Sequence, residues 1–351
     1  MKSTAQAPPA VIPTAAPQSL GERMTQWLGG GWVLLFLIAL VAFFTVTQPG
    51  RFATGYNLST LAIDAAILLV LAVGQTFVII TAGIDLSVGS VLVFASVVGT
   101  SVMLALSEAD GATYGTTDAG WGVIAVGTAA AVLAGLFFGL INGLLVAYAR
   151  IPALIVTLGT MGIALGAAQI LTNGQDVRAV PQVLVDQVGN GAIAGIPVLV
   201  VIAAVVALIA AGILHRTRFG KWTFAVGSSS EASRRSGVPL RAQLIKVYAI
   251  SGGLAGLAAV MSVARFSTTT IGGHTADNLA TISAVVLGGT SLFGGLGTIL
   301  GTVIGVFIPI VLLNGFVITG IPPFWQTVAM GAVLILAVYV DQLKRRNRIL
   351  S

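Results

Sequence analysis

The chain has no cysteine and very little charge. Charged residues make up 8% of its 351 residues, whereas hydrophobic residues make up 56%, and the mean hydropathy is +1.01. Soluble domains carry about 25% charged residues, so even a very large globular core does not explain this deficit. The absence of cysteine excludes disulfides, thiolate metal sites and thiol catalysis. The composition therefore predicts an all-α fold, a polytopic transmembrane helical bundle.

Signatures of catalysis and of nucleotide binding are also missing. No Gly-x-x-x-x-Gly-Lys-Ser/Thr sequence occurs, so the chain cannot hold ATP phosphates in a P-loop. A Ser-His-Asp set, a carboxylate pair within one span and a zinc signature are absent too. Both histidines, His215 and His274, lie outside the apolar runs, so we expect no buried histidine. We expect no enzyme, no metal site and no cofactor in this chain.

The net charge of +6 is concentrated beside the apolar runs. Basic residues in cytoplasmic loops orient membrane proteins, so this charge predicts topology and no nucleic-acid partner. The segment 214–243 and the C-terminus are basic and should be cytoplasmic, while the loops 107–119 and 174–194 are acidic and should be external. Ten spans from a cytoplasmic N-terminus place each of these loops on the side of the membrane that its charge predicts. We place these spans at 30–48, 61–82, 88–106, 121–149, 152–172, 195–213, 244–264, 279–293, 296–316 and 322–341.

The remaining segments give the domain boundaries. Residues 1–25 begin with a proline-rich stretch without apolar period, which predicts a disordered cytoplasmic tail. Residues 26–345 form one transmembrane domain, and residues 346–351 form a second cytoplasmic tail.

Two glycine-rich turns interrupt the apolar pattern. Residues 83–90 read Gly-Ile-Asp-Leu-Ser-Val-Gly-Ser, and Gly83 and Gly89 flank Asp85 and Ser87 there. The stretch 287–297 holds five glycines and predicts a broken or re-entrant element. Gly289 and Gly295 repeat the spacing of the first turn, which suggests a twofold internal repeat, although a chain with 44 glycines gives such matches by chance. The first turn could also be an ordinary one in which Asp85 or Ser87 caps the next helix.

Few polar side chains lie within the apolar runs. A carboxylate at the bilayer centre costs about 2.5–3.5 kcal/mol or more, so Asp64 and Asp85 need a partner, a wet cavity or an interfacial position. No lysine or arginine lies in the same spans, which argues against an ion-coupled carrier. Asp64 fits a hydrated interfacial position. Asn142 has small neighbours and fits a hydrogen bond between packed helices.

The cytoplasmic segment 214–243 contains a short predicted helix. Residues 228–231 satisfy a capping box, residues 232–236 can be helical, and Gly237 can end the helix in the left-handed conformation. This helix suits docking into another protein. Alternatively, it is a solvated loop whose arginines set topology or touch anionic lipid.

Four stretches, taken together, resemble a known family. They are residues 78–90 (Val-Ile-Ile-Thr-Ala-Gly-Ile-Asp-Leu-Ser-Val-Gly-Ser), 151–161 (Ile-Pro-Ala-Leu-Ile-Val-Thr-Leu-Gly-Thr-Met), 225–237 (Ala-Val-Gly, then Glu-Ala-x-Arg-x-Ser-Gly) and 286–295 (Val-Leu-Gly-Gly-Thr-Ser, then Gly-Gly). Their order and content resemble the membrane permease subunits of bacterial ribose-type sugar ABC importers. The chain departs from the family pattern at Ser230 and Ser233, and at Asp64, where a neutral polar residue is expected.

The resemblance implies a transport subunit in the bacterial inner membrane, surrounded by lipid. It implies ATPase subunits that bind ATP and Mg²⁺, a periplasmic or lipoprotein sugar-binding protein, and a second permease copy as a homodimer. Residues 231–237 would be the coupling helix that contacts the ATPase, and the residues that couple to the ATPase would be Ser230, Glu231, Ala232, Arg234, Arg235 and Gly237. The substrate pathway would include Gln75, Asp85, Ser87, Asn142, Thr157 and Asn314, and the hinges would be Gly83, Gly89, Gly289 and Gly295.

Two alternatives share parts of this pattern. A permease for branched-chain amino acids or nucleosides has a related architecture, although residues 83–90 favour sugar. An ion-coupled secondary transporter needs a set of titratable groups in its spans, and the sparse carboxylates disfavour it.

Overall fold

The computed structural model describes residues 20–107, 116–274 and 276–350. Most of the predicted N-terminal tail lies outside these residues, as does 108–115 of the loop 107–119, which the sequence predicts to be external. Thirteen helices occur in the described ranges: α1 Leu20–Thr47, α2 Gly55–Ile80, α3 Val88–Leu106, α4 Trp121–Leu144, α5 Ala153–Thr172, α6 Gln182–Leu184, α7 Val198–Arg216, α8 Arg218–Ser228, α9 Ser230–Arg235, α10 Leu240–Phe266, α11 Asp277–Leu287, α12 Ile299–Thr319 and α13 Pro323–Leu350. Two π-helical turns, Leu145–Ala149 and Val185–Gly189, continue α4 and α6.

The all-α polytopic class is confirmed. Within the described residues, seven helices are long and apolar enough to cross a membrane: α2, α3, α4 with its π turn, α5, α7, α10 and α12. Shorter apolar segments at Val33–Thr47, Asp277–Leu287 and Phe324–Tyr339 overlap the other three predicted spans. The count of ten therefore stays a prediction.

Helix α2 is the centre of the bundle. From Ala65 to Ile80 every one of its side chains is buried, whereas α4, α5 and α7 expose large apolar side chains. Such exposed leucines and isoleucines suit a lipid-facing surface. Thr54 begins α2, since its hydroxyl accepts a hydrogen bond from the Asn57 backbone N–H at 3.2 Å. The helix ends at Ile80, where Ala82 takes the left-handed conformation with φ 61°.

Helices α4 and α10 cross with their backbones close together. A Cβ at Gly135 would collide with the Gly252 carbonyl oxygen, and a Cβ at Gly256 would lie 2.5 Å from the Ala131 carbonyl oxygen. Small residues at such crossings are typical of membrane helices, because they bring backbones into van der Waals contact. Asn142 of α4 and Ser251 of α10 both reach the first glycine-rich turn, where they bond to Ser87 and Asp85.

The second glycine-rich turn interrupts the helical structure, as predicted. Helix α11 has 11 residues, a length of about 16 Å that covers roughly half of a bilayer core. The chain is then irregular until α12 begins at Ile299. Gly289, Gly294 and Gly295 all have positive φ there, which glycine adopts without steric cost.

Two pairs of short strands lie in or next to the loops that the charge pattern predicts to be external. Strand β1 (Thr116–Thr117) pairs in parallel with β2 (Val180–Pro181), in the register Thr116 to Val180. Strand β3 (Ala192–Ile193) pairs antiparallel with β4 (Ile196–Pro197) through a two-residue turn at Ala194 and Gly195, both with positive φ.

Candidate functional site

Asp85 is buried in the turn between α2 and α3, with 1% of its surface exposed. Its Oδ1 accepts hydrogen bonds from the Ser87 backbone N–H at 2.9 Å and from the Ser87 hydroxyl at 2.6 Å. Its Oδ2 accepts a hydrogen bond from the Ser251 hydroxyl at 3.1 Å. Asp85 therefore ties the turn to α10.

The same hydrogen-bond chain continues into α4 and α5. The Asn142 amide donates to the Ser87 hydroxyl oxygen at 2.9 Å, and its Oδ1 accepts from the Thr160 hydroxyl at 2.8 Å. The Thr157 hydroxyl donates to the Ile84 carbonyl at 3.1 Å. We call Asp85, Ser87, Asn142, Thr160 and Ser251 the Asp85 network.

Two more buried side chains surround the Asp85 backbone and the start of the turn. With its amide oriented to satisfy both partners, Gln75 donates to the Asp85 carbonyl and accepts from the Asp85 N–H, each at 3.2 Å. Tyr248 lies over Gly83, where an added Cβ would be 2.5 Å from the tyrosine oxygen. That position therefore needs glycine for close packing, and Ala82 supplies the left-handed residue of the turn.

The Asp85 network can act as a joint between helices. It links the α2–α3 turn to α4, α5 and α10 through side chains that are all at most 4% exposed. Buried polar groups left without partners cost about 1–3 kcal/mol each, so the arrangement resists partial opening. The hydroxyl, amide and carboxylate groups of the network are hydrogen-bonded to one another, so its chemistry suits holding helices together.

Five of the six predicted pathway residues meet here: Gln75, Asp85, Ser87, Asn142 and Thr157. Asn314 does not. On α12 it exchanges two amide hydrogen bonds with Asn57, at 2.9 and 3.0 Å. Asn57 lies in the first turn of α2, roughly 35 Å along the helix from Ile80. The role of all six residues in a pathway stays a prediction.

The glycines predicted as hinges have two different environments. Gly89 lies inside α3, where its N–H donates to Asn278 Oδ1 at 2.7 Å and a Cβ would collide with the His274 carbonyl. Gly289 and Gly295 have φ of 91° and 74°. The Gly295 N–H donates to the Ile80 carbonyl at 2.9 Å. The second glycine-rich turn therefore contacts the end of α2, three residues before the first turn, while the twofold repeat and hinge motion stay predictions.

Helix α9 lies in the segment 214–243, which the sequence predicts to be cytoplasmic. Its cap is Ser229, whose hydroxyl accepts from the Ala232 N–H at 3.2 Å. Glu231 pairs with Arg234 at 2.9 Å and with Arg235 at 3.0 Å. Hydrogen bonds from Arg234 and Arg235 hold the pKa of Glu231 below its ordinary value, so it is ionised at neutral pH.

The predicted capping box is wrong in its register. The sequence pattern places the cap at Ser228, but Ser228 is the last residue of α8. The Ser229 N–H bonds to the Ala225 carbonyl at 3.0 Å. The cap residue's N–H thus has a partner already, and Glu231 turns to the arginines. Gly237 follows α9 in the left-handed conformation, with φ 80°, as predicted.

The segment 214–243 packs directly against the end of α2 through α8. Gly227 of α8 lies so close to the Ile80 carbonyl that a Cβ there would collide with it, and would be 2.6 Å from the Gly295 nitrogen. Gln243 of α10 donates to the Thr223 hydroxyl of α8 at 2.8 Å. Helix α8 therefore contacts the last residue of α2, three residues before the turn that carries Asp85.

Asp64, the other carboxylate within a predicted span, lies near a basic residue that falls just outside the predicted spans. Arg265 Nε lies 3.8 Å from Asp64 Oδ1, because α10 continues beyond the predicted span end at residue 264. The expectation that both histidines avoid burial is wrong for His274, which is 7% exposed. His274 bridges Asp277 at 2.7 Å and Ser262 at 2.8 Å.

Sequence reasoning missed Ser251, Tyr248 and Arg265 as site residues. Ser251 and Tyr248 lie three residues apart on α10, so they share a helix face. Their spacing was therefore a signal in the sequence that could have identified them. The sequence held no such signal for Arg265, because its partner lies on a helix about 200 residues earlier in the chain.

The fold and these sites define a polytopic membrane transport subunit. Residues 57–338 match the protein family described as the branched-chain amino acid transport system permease component. Among curated relatives, the ribose import permease protein of Escherichia coli strain K12 is 36% identical over 91% of this chain and 95% of its own length. The L-arabinose ABC transporter permease protein of Azospirillum brasilense is 32% identical, over 98% and 96%. The fructose import permease protein of Rhizobium meliloti is 31% identical, over 90% and 85%. No solved structure matches the chain.

The chain belongs to this permease family. Membership confirms the prediction of a transport subunit rather than an enzyme, and of a multi-pass protein of the inner membrane.

Proposed function

We propose that the chain forms the membrane pathway for a monosaccharide in a bacterial ATP-driven importer. The observation that carries this proposal is end-to-end similarity to permeases named for ribose, L-arabinose and fructose. The family description names branched-chain amino acids, but the relatives that cover most of this chain are named for sugars. A neutral sugar binds through hydrogen bonds to hydroxyl and amide groups. In the described spans such side chains are more frequent than charged side chains.

The proposal includes partners. Cytoplasmic ATPase subunits hold ATP and Mg²⁺, and a separate binding protein delivers the sugar from outside. A second copy of the chain completes the pathway, and lipid surrounds the remaining apolar surface. Both termini are cytoplasmic in this arrangement, which puts the basic segment 214–243 on the side of the ATPase.

Energy reaches the pathway through the cytoplasmic segment. Helix α9 exposes Glu231, Arg234 and Arg235 to a partner, and a groove of about 610 Å³ lies between this helix and the π turn after α4. Because Gly227 packs on the Ile80 carbonyl, movement of α8 and α9 pulls on the α2–α3 turn. The Asp85 network then opens or closes the inner half of the pathway.

Substrate selection tests the proposal. In cells that produce the importer as their sole route of uptake, radiolabelled ribose, arabinose, fructose and galactose are compared with leucine and adenosine. We expect saturable uptake of one monosaccharide that excess leucine leaves unchanged. Uptake of leucine or adenosine without any sugar would overturn the proposal in favour of the amino-acid or nucleoside alternative.

A further inference from the structure

A second cavity lies at the opposite end of α2 from the Asp85 network. Its volume is about 340 Å³, at the lower end of the range for small-molecule sites, about 300–1,000 Å³. Its lining includes the polar residues Asp64, Thr270, His274 and Asp277, and apolar residues that include Phe266. We call this cavity the outer pocket.

The carboxylates show that the outer pocket is wet. The Asp64 side chain is 40% exposed and the Asp277 side chain 26%. An ionisable side chain in a membrane protein that is exposed to this degree faces a water-filled cavity rather than hydrocarbon. The outer pocket is therefore reachable from the aqueous side.

Its polar groups are not saturated with hydrogen bonds. Arg265 Nε is 3.8 Å from Asp64, beyond hydrogen-bond distance, and this buried nitrogen has no hydrogen-bond partner among the described residues. Asp277 is held by a hydrogen bond with His274. Arg265 thus offsets the charge of Asp64, while carboxylate oxygen atoms remain open to the cavity. This combination suits a ligand whose hydroxyls donate hydrogen bonds to carboxylates.

We propose that the outer pocket is a binding site for a monosaccharide that enters the permease. Asp64 and Asp277 accept hydrogen bonds from sugar hydroxyls, and Phe266 packs on the C–H face of the ring. The site lies roughly 24 Å along α2 from Ile80, so one helix carries an outer binding site and an inner joint. The inference rests on the proposed function.

Cysteine labelling tests the site, because the chain contains no cysteine of its own. A Thr270→Cys variant places a thiol in the outer pocket, and an Asp186→Cys variant places one on an exposed external turn as a control. Intact cells that hold the whole importer react with a membrane-impermeant maleimide. We expect the transported sugar to slow labelling of the Thr270→Cys variant at least five-fold and to leave the control unchanged. Absence of labelling, or labelling that the sugar does not slow, would overturn the inference.

Charge-neutral variants supply a second measurement. Asp64→Asn and Asp277→Asn should each lower sugar transport about ten-fold, because each removes a charged acceptor, while Asp186→Asn should transport normally. Normal transport by both pocket variants overturns the outer site and leaves the proposed function intact. If the unaltered importer carries no monosaccharide, the proposed function itself fails.

Discussion

Replacing Asp85 by Asn and by Ala separates a hydrogen-bond role from a charge role. Asn keeps an oxygen for both Ser87 donors, and its amide can donate to the Ser251 hydroxyl in place of Oδ2. Ala removes every acceptor of the side chain. If the Asp85 network is a joint between helices, Asn should preserve it and Ala should break it.

The magnitudes follow from the partners that each variant leaves. In Asp85→Ala the Ser87 N–H and the Ser251 hydroxyl lose their partners, while the Ser87 hydroxyl keeps Asn142. Two buried orphan groups at about 1–3 kcal/mol each give a loss of about 2–6 kcal/mol. At roughly 2 °C per kcal/mol, the apparent Tm should fall by roughly 4–12 °C. Asp85→Asn should stay within about 1.5 kcal/mol of the parent, since it exchanges one acceptor for a donor.

The assay is thermal unfolding of the purified chain in detergent, together with sugar uptake by the whole importer. Ser96→Ala is the matched control, because the buried Ser96 hydroxyl bonds only to a carbonyl of its own helix. We expect Asp85→Asn to be stable and to transport, and Asp85→Ala to lose both. An Asp85→Asn protein that is fully stable yet inactive would refute the reasoning and indicate that the charge itself is needed.

Three further predictions concern other parts of the fold. Glu231→Lys breaks both ion pairs of α9, so ATPase stimulation should be lost while the protein still inserts; normal transport with normal co-purification of the ATPase would contradict the coupling role. Asn57→Ala and Asn314→Ala should each lower the free energy of unfolding by about 1–3 kcal/mol, and the double variant should lose little more; additive losses in unfolding experiments would contradict the shared amide pair. Gly135→Val forces a side chain into the backbone of α10 and should cost about 3 kcal/mol or more, whereas Gly212→Ala, with open space around it, should melt like the parent.

Elements that depend on local pattern could be predicted from the sequence. The predicted span 88–106 coincides with α3, and 152–172 differs from α5 by one residue. Each of these spans is an uninterrupted apolar run of the length that crosses a bilayer, so the sequence alone is enough to predict it. The glycine-rich break after Leu287 was equally local.

Contacts between distant segments could not be predicted. The partner of Asp64 is Arg265, which depends on where α10 ends relative to α2. The burial of His274 depends on the packing of its loop against Ser262 of α10. Ser251 meets Asp85 because α10 packs closely on α2, where a Cβ at Gly74 would lie 2.9 Å from the Ser251 Cα. In each case the apolar pattern predicts the helix but gives no information about the segment that packs against it.

The source of energy for transport tests the central claim most directly. Vesicles that contain the chain and its ATPase, with the sugar-binding protein on the opposite side, are supplied with ATP on the side of segment 214–243. The account predicts accumulation of a monosaccharide against its gradient that stops when ATP is withheld or vanadate is added. Accumulation that continues without ATP, driven by an ion gradient, would contradict it.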